Sequence, residues 1–219
     1  MMISLGTSLA IIIPTAFSGA YRHTRVMEGI ISPGVKLGIF GIVGGIIGGL
    51  IASYIPSKVL EIIFGFLLLF IAIYNLFTIN KEESKSKIKF NLISALVIGI
   101  SVGILSGLLG IGGGIFLIVI LTFLLGFKMI NATGISSIFI CLTATGGVSS
   151  YILTGLGVNT FPYSIGYVSL VNLLMIAIFS VPLAYYGAKV SHKVPEKRLK
   201  QVFSILVFYI SLKMLGVFP

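Results

Sequence analysis

Three consecutive glycines, Gly112 to Gly114, interrupt an otherwise apolar stretch that runs from Leu108 to Ile118. Each glycine inside a helix costs roughly 1 kcal/mol relative to alanine, so three together predict that a helix breaks here. Irregular backbone at membrane depth is found only where it is buried in protein or lines a polar cavity, because lipid offers no hydrogen-bond partners. These glycines, with Gly110 just before them, are therefore the first candidates for a binding site.

The composition indicates a protein of the lipid bilayer. Of the 219 residues 57% are hydrophobic and only 9% are charged, and the mean hydropathy is +1.17. The net charge is +10, and most of the basic residues lie in short gaps between apolar runs. That pattern is typical of loops facing anionic lipid, so no nucleic-acid partner is expected. The chain has no Asp, five Glu, two His and one cysteine, Cys141, which argues against an enzyme, a metal site or a cofactor.

Apolar runs of about 20 residues, the length needed to cross a bilayer, recur along the chain. We predict an all-α polytopic membrane protein with seven full spans and one short half-helix. The full spans are Ile3–Tyr21, Lys36–Tyr54, Val59–Ile79, Leu92–Leu109, Asn131–Leu153, Tyr163–Gly187 and Leu199–Val217, and the half-helix is Ile115–Gly126. The basic gaps then share one face, taken as cytoplasmic, and the uncharged loop 154–162 lies on the other face of the cell membrane.

The two halves of the chain resemble each other. Gly6, Ser8, Ile12, Thr15, Ala16 and Gly19 recur 128 positions later as Gly134, Ser136, Ile140, Thr143, Ala144 and Gly147. Pro56, Lys58, Leu60 and Phe64 recur 139 positions later as Pro195, Lys197, Leu199 and Phe203. Two apolar sequences can match by chance, but the order of these matches favours duplication.

The charge bias inverts between the two copies, because Arg22 and Arg25 follow the first span whereas the equivalent loop 154–162 is uncharged. This predicts an inverted-topology repeat with broken helices at the midplane, an arrangement common in secondary transporters. The expected organisation is an incomplete first repeat over 1–80, a cytoplasmic linker over 81–91 and a second repeat over 92–219. Residues 92–128 have no counterpart before Gly6, so about 40 residues of the first repeat are expected to be missing.

Hydroxyl groups beside small residues extend the candidate site. Thr143, Thr145 and Gly147 belong to a second predicted break, with Ser136 and Ser137 two turns earlier. Thr15 and Ser18 lie at the equivalent place in the first repeat, where Pro14 is expected to break the helix. Such hydroxyls could coordinate an anion, or they could bond to carbonyls of their own helix, and the two alternatives stay open. His23 and His192 lie in basic gaps, where solvated loop residues are favoured over proton coupling.

The segment Gly110-Ile111-Gly112-Gly113-Gly114, followed by an apolar half-helix and then by Ser136, Thr143 and Gly147, resembles the sulfite exporter TauE/SafE family. The family pattern usually carries a proline soon after the glycines, where this chain has Ile118 and Val119. The resemblance implies transport of small anions, often sulfur oxyanions or organosulfonates, across the cytoplasmic membrane.

The leading hypothesis is a secondary transporter of small anions bound at the glycine-rich breaks, since a helix N-terminus suits anionic oxygens. No phosphate-binding loop of an ATPase occurs in the sequence. The alternative is a non-transporting scaffold or an accessory subunit of a transporter. The sequence leaves open the anion, the direction of transport, a coupling proton or sodium ion, and whether the chain forms a homo-oligomer.

Overall fold

The computed structural model describes residues 2–56, 90–157 and 163–216, together with individual helical positions between 58 and 73. The helices are α1 (Met2–Thr24), α2 (Ile31–Ala52), α3 (Leu92–Leu109), α4 (Gly114–Phe123), α5 (Met129–Thr154), α6 (Leu170–Ser191) and α7 (Glu196–Met214). A two-stranded antiparallel hairpin, β1 (Ser164–Ile165) and β2 (Val168–Ser169), precedes α6.

Five helices in the described part of the chain are long and apolar enough to cross a membrane, namely α1, α2, α3, α5 and α6. The predicted helical, multi-pass architecture is thus present with five candidate spans, and α4 is the short apolar helix expected after the glycines. The predicted span Val59–Ile79 lies largely outside the described residues. The last predicted span corresponds to α7, which is not among the five because four of its first five residues are charged.

The chain before α6 is a hairpin, so the prediction of a span beginning at Tyr163 is wrong. Gly166 turns the chain with a φ of 56°, and the side chain of Ser169 accepts from the N–H of Asn172 to cap the start of α6. The N–H of Ser169 donates to Oγ1 of Thr7 at 3.0 Å, and the N–H of Tyr167 donates to the carbonyl of Tyr151 at 3.2 Å. The hairpin is therefore bonded to the start of α1 and to the end of α5.

Helix α2 is packed between α3 and α5 through glycine on both sides. A Cβ atom at Gly44 would lie 2.9 Å from the Cα of Gly103 on α3, and one at Gly45 would lie 2.7 Å from the carbonyl oxygen of Thr143 on α5. Small residues let two backbones approach closely, which drives helix association in lipid. Gly44 and Gly45 therefore serve the packing of α2 against its two neighbours.

Thr143 to Gly147 lie inside α5, which runs without interruption from Met129 to Thr154, so the predicted second break is wrong. A Cβ atom at Gly146 would lie 3.0 Å from the Cα of Ile42 on α2, and one at Gly147 would lie 2.7 Å from Cδ1 of Leu9 on α1. These glycines make room for neighbouring helices while the helix itself continues.

Pro14 does not end α1, contrary to the prediction that it breaks this helix. Proline removes one backbone donor, and helices in a membrane tolerate this where neighbouring side chains and helices restore the lost contacts. Here α1 packs against α5 and α6, and Thr15 Oγ1 lies 2.8 Å from Ser180 Oγ on α6. The helix therefore continues to Thr24.

Helices α1 and α5 run in opposite directions along each other. At one end, a Cβ atom at Gly6 would lie 3.1 Å from the Cβ of Tyr151. At the other end, a Cβ atom at Gly134 would lie 3.3 Å from the Cβ of His23. The same glycine contact thus occurs twice, once near each end of the pair.

Candidate functional site

The predicted interruption after Leu109 is present. Helix α3 ends there, α4 begins at Gly114, and Gly110, Gly112 and Gly113 have φ values of 68°, 79° and 69°. This left-handed region favours glycine, which has no Cβ to clash with the backbone. The helix break predicted from the glycines is therefore confirmed, with Gly114 as the first residue of α4.

The start of α4 carries no side-chain cap, because its N-cap residue is Gly113. The N–H of Leu117 donates to the carbonyl of Gly113 at 3.1 Å. A helix N-terminus carries about half a positive charge, so this end of α4 has a positive electrostatic potential. Ser136 of α5 holds this end in place, since its buried Oγ donates to the carbonyl of Gly114 at 3.1 Å.

An open cleft of about 360 Å³ lies beside the break, between α1, α5 and α6. Ile111 lines the cleft from the break itself, and Ile12 of α1 and Ile140 of α5 line it on either side. These two isoleucines also flank Gly112, where a Cβ atom would lie 3.3 Å from Cγ2 of Ile12 and 2.8 Å from Cγ2 of Ile140. The break therefore forms one wall of the cleft.

Four hydroxyl side chains line the cleft, and all of them are hydrogen-bonded to the backbone of their own helix. Thr15, Thr133, Ser137 and Ser191 lie 2.8–2.9 Å from carbonyl oxygens three or four residues earlier. Thr15 and Ser137 were predicted as site residues. A hydroxyl whose proton is donated to a carbonyl can still accept a hydrogen bond, but it is a poor donor to an anion. Of the two alternatives that the sequence left open, Thr15 and Ser137 therefore show intrahelical bonding.

His23 also lines the cleft, and only 2% of its surface is exposed. The prediction that it is a solvated loop residue is wrong, because α1 continues to Thr24 and includes His23 in its last turn. Its ring lies 4.9 Å from that of His192, which follows α6, with the two planes inclined by 56°. The Nδ1 atom of His23 is buried without a hydrogen-bond partner in the described part of the chain.

Four other predicted site residues lie away from the cleft lining. Ser18 Oγ donates to the carbonyl of Val181 at 2.8 Å and so joins α1 to α6. Thr145 is exposed and donates to the carbonyl of its own helix at Leu142, at 2.6 Å. Thr143 and Gly147 are buried against α2 and α1 respectively. The structure therefore does not gather them around the same space as Thr15 and Ser137.

Three residues that line the cleft, Thr133, Ser191 and His23, are not among the predicted site residues. Thr133 precedes Ser137 by four residues, so helical spacing places both on one face and could have identified it. His23 and Ser191 join the cleft because α1 packs against α6. That long-range contact leaves no local signal in the sequence.

The apolar helices around the cleft define a multi-pass membrane protein, and comparisons with known proteins identify its family. The family model described as sulfite exporter TauE/SafE matches residues 1–214. The chain therefore belongs to the sulfite exporter TauE/SafE family and is a membrane transporter. The resemblance stated from the glycine motif is confirmed.

The curated relatives include three proteins described as probable membrane transporter proteins. One from Haemophilus influenzae is 29% identical over 221 residues, which covers 98% of this chain and 81% of the relative. One from Methanocaldococcus jannaschii is 31% identical, covering 97% of this chain and 78% of the relative. The third, from Bacillus subtilis, is 30% identical, covering 90% and 78%. No solved structure gives a significant match.

Proposed function

We propose that this protein is a secondary transporter of small anions, sulfur oxyanions or organosulfonates such as sulfite, and that the cleft beside the glycine break holds the anion. The description of the family supports the substrate class. The observation that supports the site is that Ile111 of the glycine break lines the cleft, together with Ile12 and Ile140, which flank Gly112. Amide donors and the positive end of a helix dipole stabilise an anion there without a buried basic side chain.

The size of the cleft supports a small solute. Its volume of about 360 Å³ is near the lower end of the range of roughly 300–1,000 Å³ for small-molecule sites. Of the predicted binding residues, the break residues Gly110 and Gly112 to Gly114 fit this proposal best. Thr15, Ser136 and Ser137 donate to backbone carbonyls, so each would have to exchange that bond for one to the anion. A role for Thr143, Thr145, Gly147 or Ser18 would require the anion to occupy a second position during transport.

Three features support the proposed inverted repeat. Helices α2 and α6 each have 22 residues and begin 139 positions apart, at Ile31 and Leu170. The contact of Gly6 with Tyr151 and that of Gly134 with His23 are exchanged by the 128-residue offset, since His23 and Tyr151 are also 128 apart. The equivalent helices α1 and α5 run in opposite directions, which a repeat of inverted topology requires.

Variants of Gly187 test the substrate class, with uptake of a radiolabelled alkanesulfonate into proteoliposomes as the measurement. This residue lines the cleft, and a Cβ atom there would meet nothing within 4 Å, so a small side chain fits. Gly187→Asp places a carboxylate in the cleft and should lower anion uptake at least about tenfold through charge repulsion. Gly187→Asn has the same shape without the charge and should retain most of the uptake.

Equal uptake by the Asp and Asn variants would contradict an anionic substrate in this cleft. The same vesicles, given a proton gradient or a sodium gradient in separate experiments, identify the coupling ion. Accumulation of the sulfonate under one gradient and its absence under the other assigns that ion.

One observation favours the alternative of an accessory subunit or a homo-oligomer. Helix α2 is covered by α3 and α5, whereas α6 has one buried side chain, Ala188, among the described residues. A helix pair resembling α3 and α4, from a second copy or another polypeptide, would cover α6 as α3 covers α2. Transport by the purified chain as a monomer would contradict this alternative, and a requirement for a co-purified partner would support it.

A further inference from the structure

We propose that Arg22, His23 and His192 form a second anion-binding subsite, at the end of the cleft where α1 and α6 terminate. The subsite would hold a small oxyanion such as a sulfonate as it enters or leaves. This proposal rests on the proposed function, because it assigns the same anion a second position, separate from the glycine break.

The three side chains come from the last turn of α1 and from the residue that follows α6. His23 lines the cleft from the last turn of α1, and its ring lies 4.9 Å from the ring of His192. Arg22 precedes His23, and its guanidinium carbon lies 5.9 Å from the centre of the Tyr185 ring on α6. The guanidinium group is thus directed toward α6, on the same side as the second histidine.

Each of these three residues has a buried nitrogen without a hydrogen-bond partner in the described part of the chain, namely Arg22 Nε, His23 Nδ1 and His192 Nε2. Buried polar groups are hydrogen-bonded in the great majority of cases, so three such atoms together point to a ligand. The Nε of arginine only donates, and both nitrogens of a protonated imidazole only donate. The matching ligand is therefore an acceptor with several oxygens, and the guanidinium charge disfavours a metal cation.

The surroundings of the two rings are basic. Helix α5, which contacts His23 at Gly134, contains neither an acidic nor a basic residue. The charged residues on or next to the helix ends that meet here are Arg22 on α1, Arg25 and Glu28 after α1, Lys128 before α5, and Lys189 and Lys193 on and after α6. Burial and, second, the Arg22 guanidinium lower the pKa of His192 from its usual value of 6.5.

An anion among these groups would reverse that effect, because a nearby negative charge favours the protonated imidazole. Binding of the anion therefore takes up protons, and by linkage the affinity for the anion rises as the pH falls. The glycine break contributes backbone amides, which do not titrate in this range. A pH dependence of binding thus reports on the histidine subsite alone.

Binding of radiolabelled methanesulfonate to the purified protein tests the proposal, since this sulfonate remains ionised between pH 5.5 and pH 8. We expect the affinity of the wild-type protein to rise about three- to tenfold as the pH falls over this range. The His23→Gln/His192→Gln double variant, which keeps side-chain amide donors, should lose this rise. Arg22→Gln should weaken binding about tenfold at every pH, whereas Arg25→Gln should bind as the wild type does, because Arg25 is exposed and contacts Tyr21.

The single variant His192→Gln guards against misfolding, because His192 lies outside the helices, and it should show a reduced pH slope. Wild-type affinity and slope in all the histidine variants would overturn the subsite and leave the proposed function standing, provided that the wild type takes up the sulfonate. Failure of the wild type to bind or transport the sulfonate at any pH would instead overturn the proposed function, and the subsite with it.

Discussion

Gly113 combines two constraints on a single residue. Its φ of 69° lies in the left-handed region, and a Cβ atom there would lie 3.0 Å from both Cγ1 and the carbonyl oxygen of Val102 on α3. Gly29 has a similar φ of 79°, but a Cβ atom there would meet nothing within 4 Å. Comparing substitutions at the two glycines therefore separates the free-energy cost of the left-handed backbone conformation from that of steric crowding.

Replacing each of these glycines by alanine should give different results. Gly29→Ala should lower the free energy of unfolding by roughly 1–2 kcal/mol, the cost of a left-handed conformation, and leave anion uptake unchanged. Gly113→Ala adds the contact with Val102 at the start of α4, so it should destabilise the protein further and reduce uptake severalfold. Thermal unfolding in detergent and uptake by the folded fraction measure both effects. Normal uptake by folded Gly113→Ala would contradict a role for the break in transport.

At the scale of the helix, similar glycine patterns have different outcomes. The glycines around residue 112 have positive φ and interrupt the chain, whereas Gly146 and Gly147 lie in the regular helix α5. The first group could be predicted, because three adjacent glycines weaken a helix locally. The break predicted at the second group is wrong, because the role of these glycines depends on the close approach of α1 and α2 to α5, which no local sequence pattern encodes.

The close contact between α2 and α3 predicts that adding one methyl group to a glycine at this contact strongly destabilises the protein. In Gly48→Ala the new Cβ would lie 2.9 Å from the carbonyl carbon of Ile104, and backbone atoms cannot move aside cheaply. We expect a lower melting temperature and loss of uptake, since the two helices must separate. Gly187→Ala is the matched control within α6. Its Cβ has free space, so stability should stay the same or rise by up to about 1 kcal/mol through helix propensity. Equal melting temperatures for the two variants would contradict this packing.

At the scale of the whole molecule, the sequence predicted the class of protein and most helices. The span Leu92–Leu109 was predicted with the bounds that the structure has, because a basic linker and a glycine break delimit it. The burial of His23 was missed, because the residue that contacts it, His192, comes from the other half of the chain. The cleft was missed for the same reason, because it is formed by α1, α5 and α6, which are distant in sequence.

Inverted topology predicts that equivalent ends of α1 and α5 face opposite sides of the membrane. In a Cys141→Ala background, cysteine would replace Val26 or Leu156, both of which are exposed. A membrane-impermeant maleimide added to intact cells should label Leu156→Cys, in the uncharged loop, and should label Val26→Cys only after permeabilisation. Labelling of both positions in intact cells would contradict the inversion.

The antiparallel α1–α5 pair has similar geometry at its two ends but different chemistry. His23 packs on Gly134 at one end, and Tyr151 packs on Gly6 at the other. The hydroxyl of Tyr151 donates to the carbonyl of Gly107 at 3.0 Å, whereas Nδ1 of His23 has no hydrogen-bond partner in the described part of the chain. The backbone is therefore nearly symmetric along this axis, but only the histidine end keeps a polar atom available to a solute.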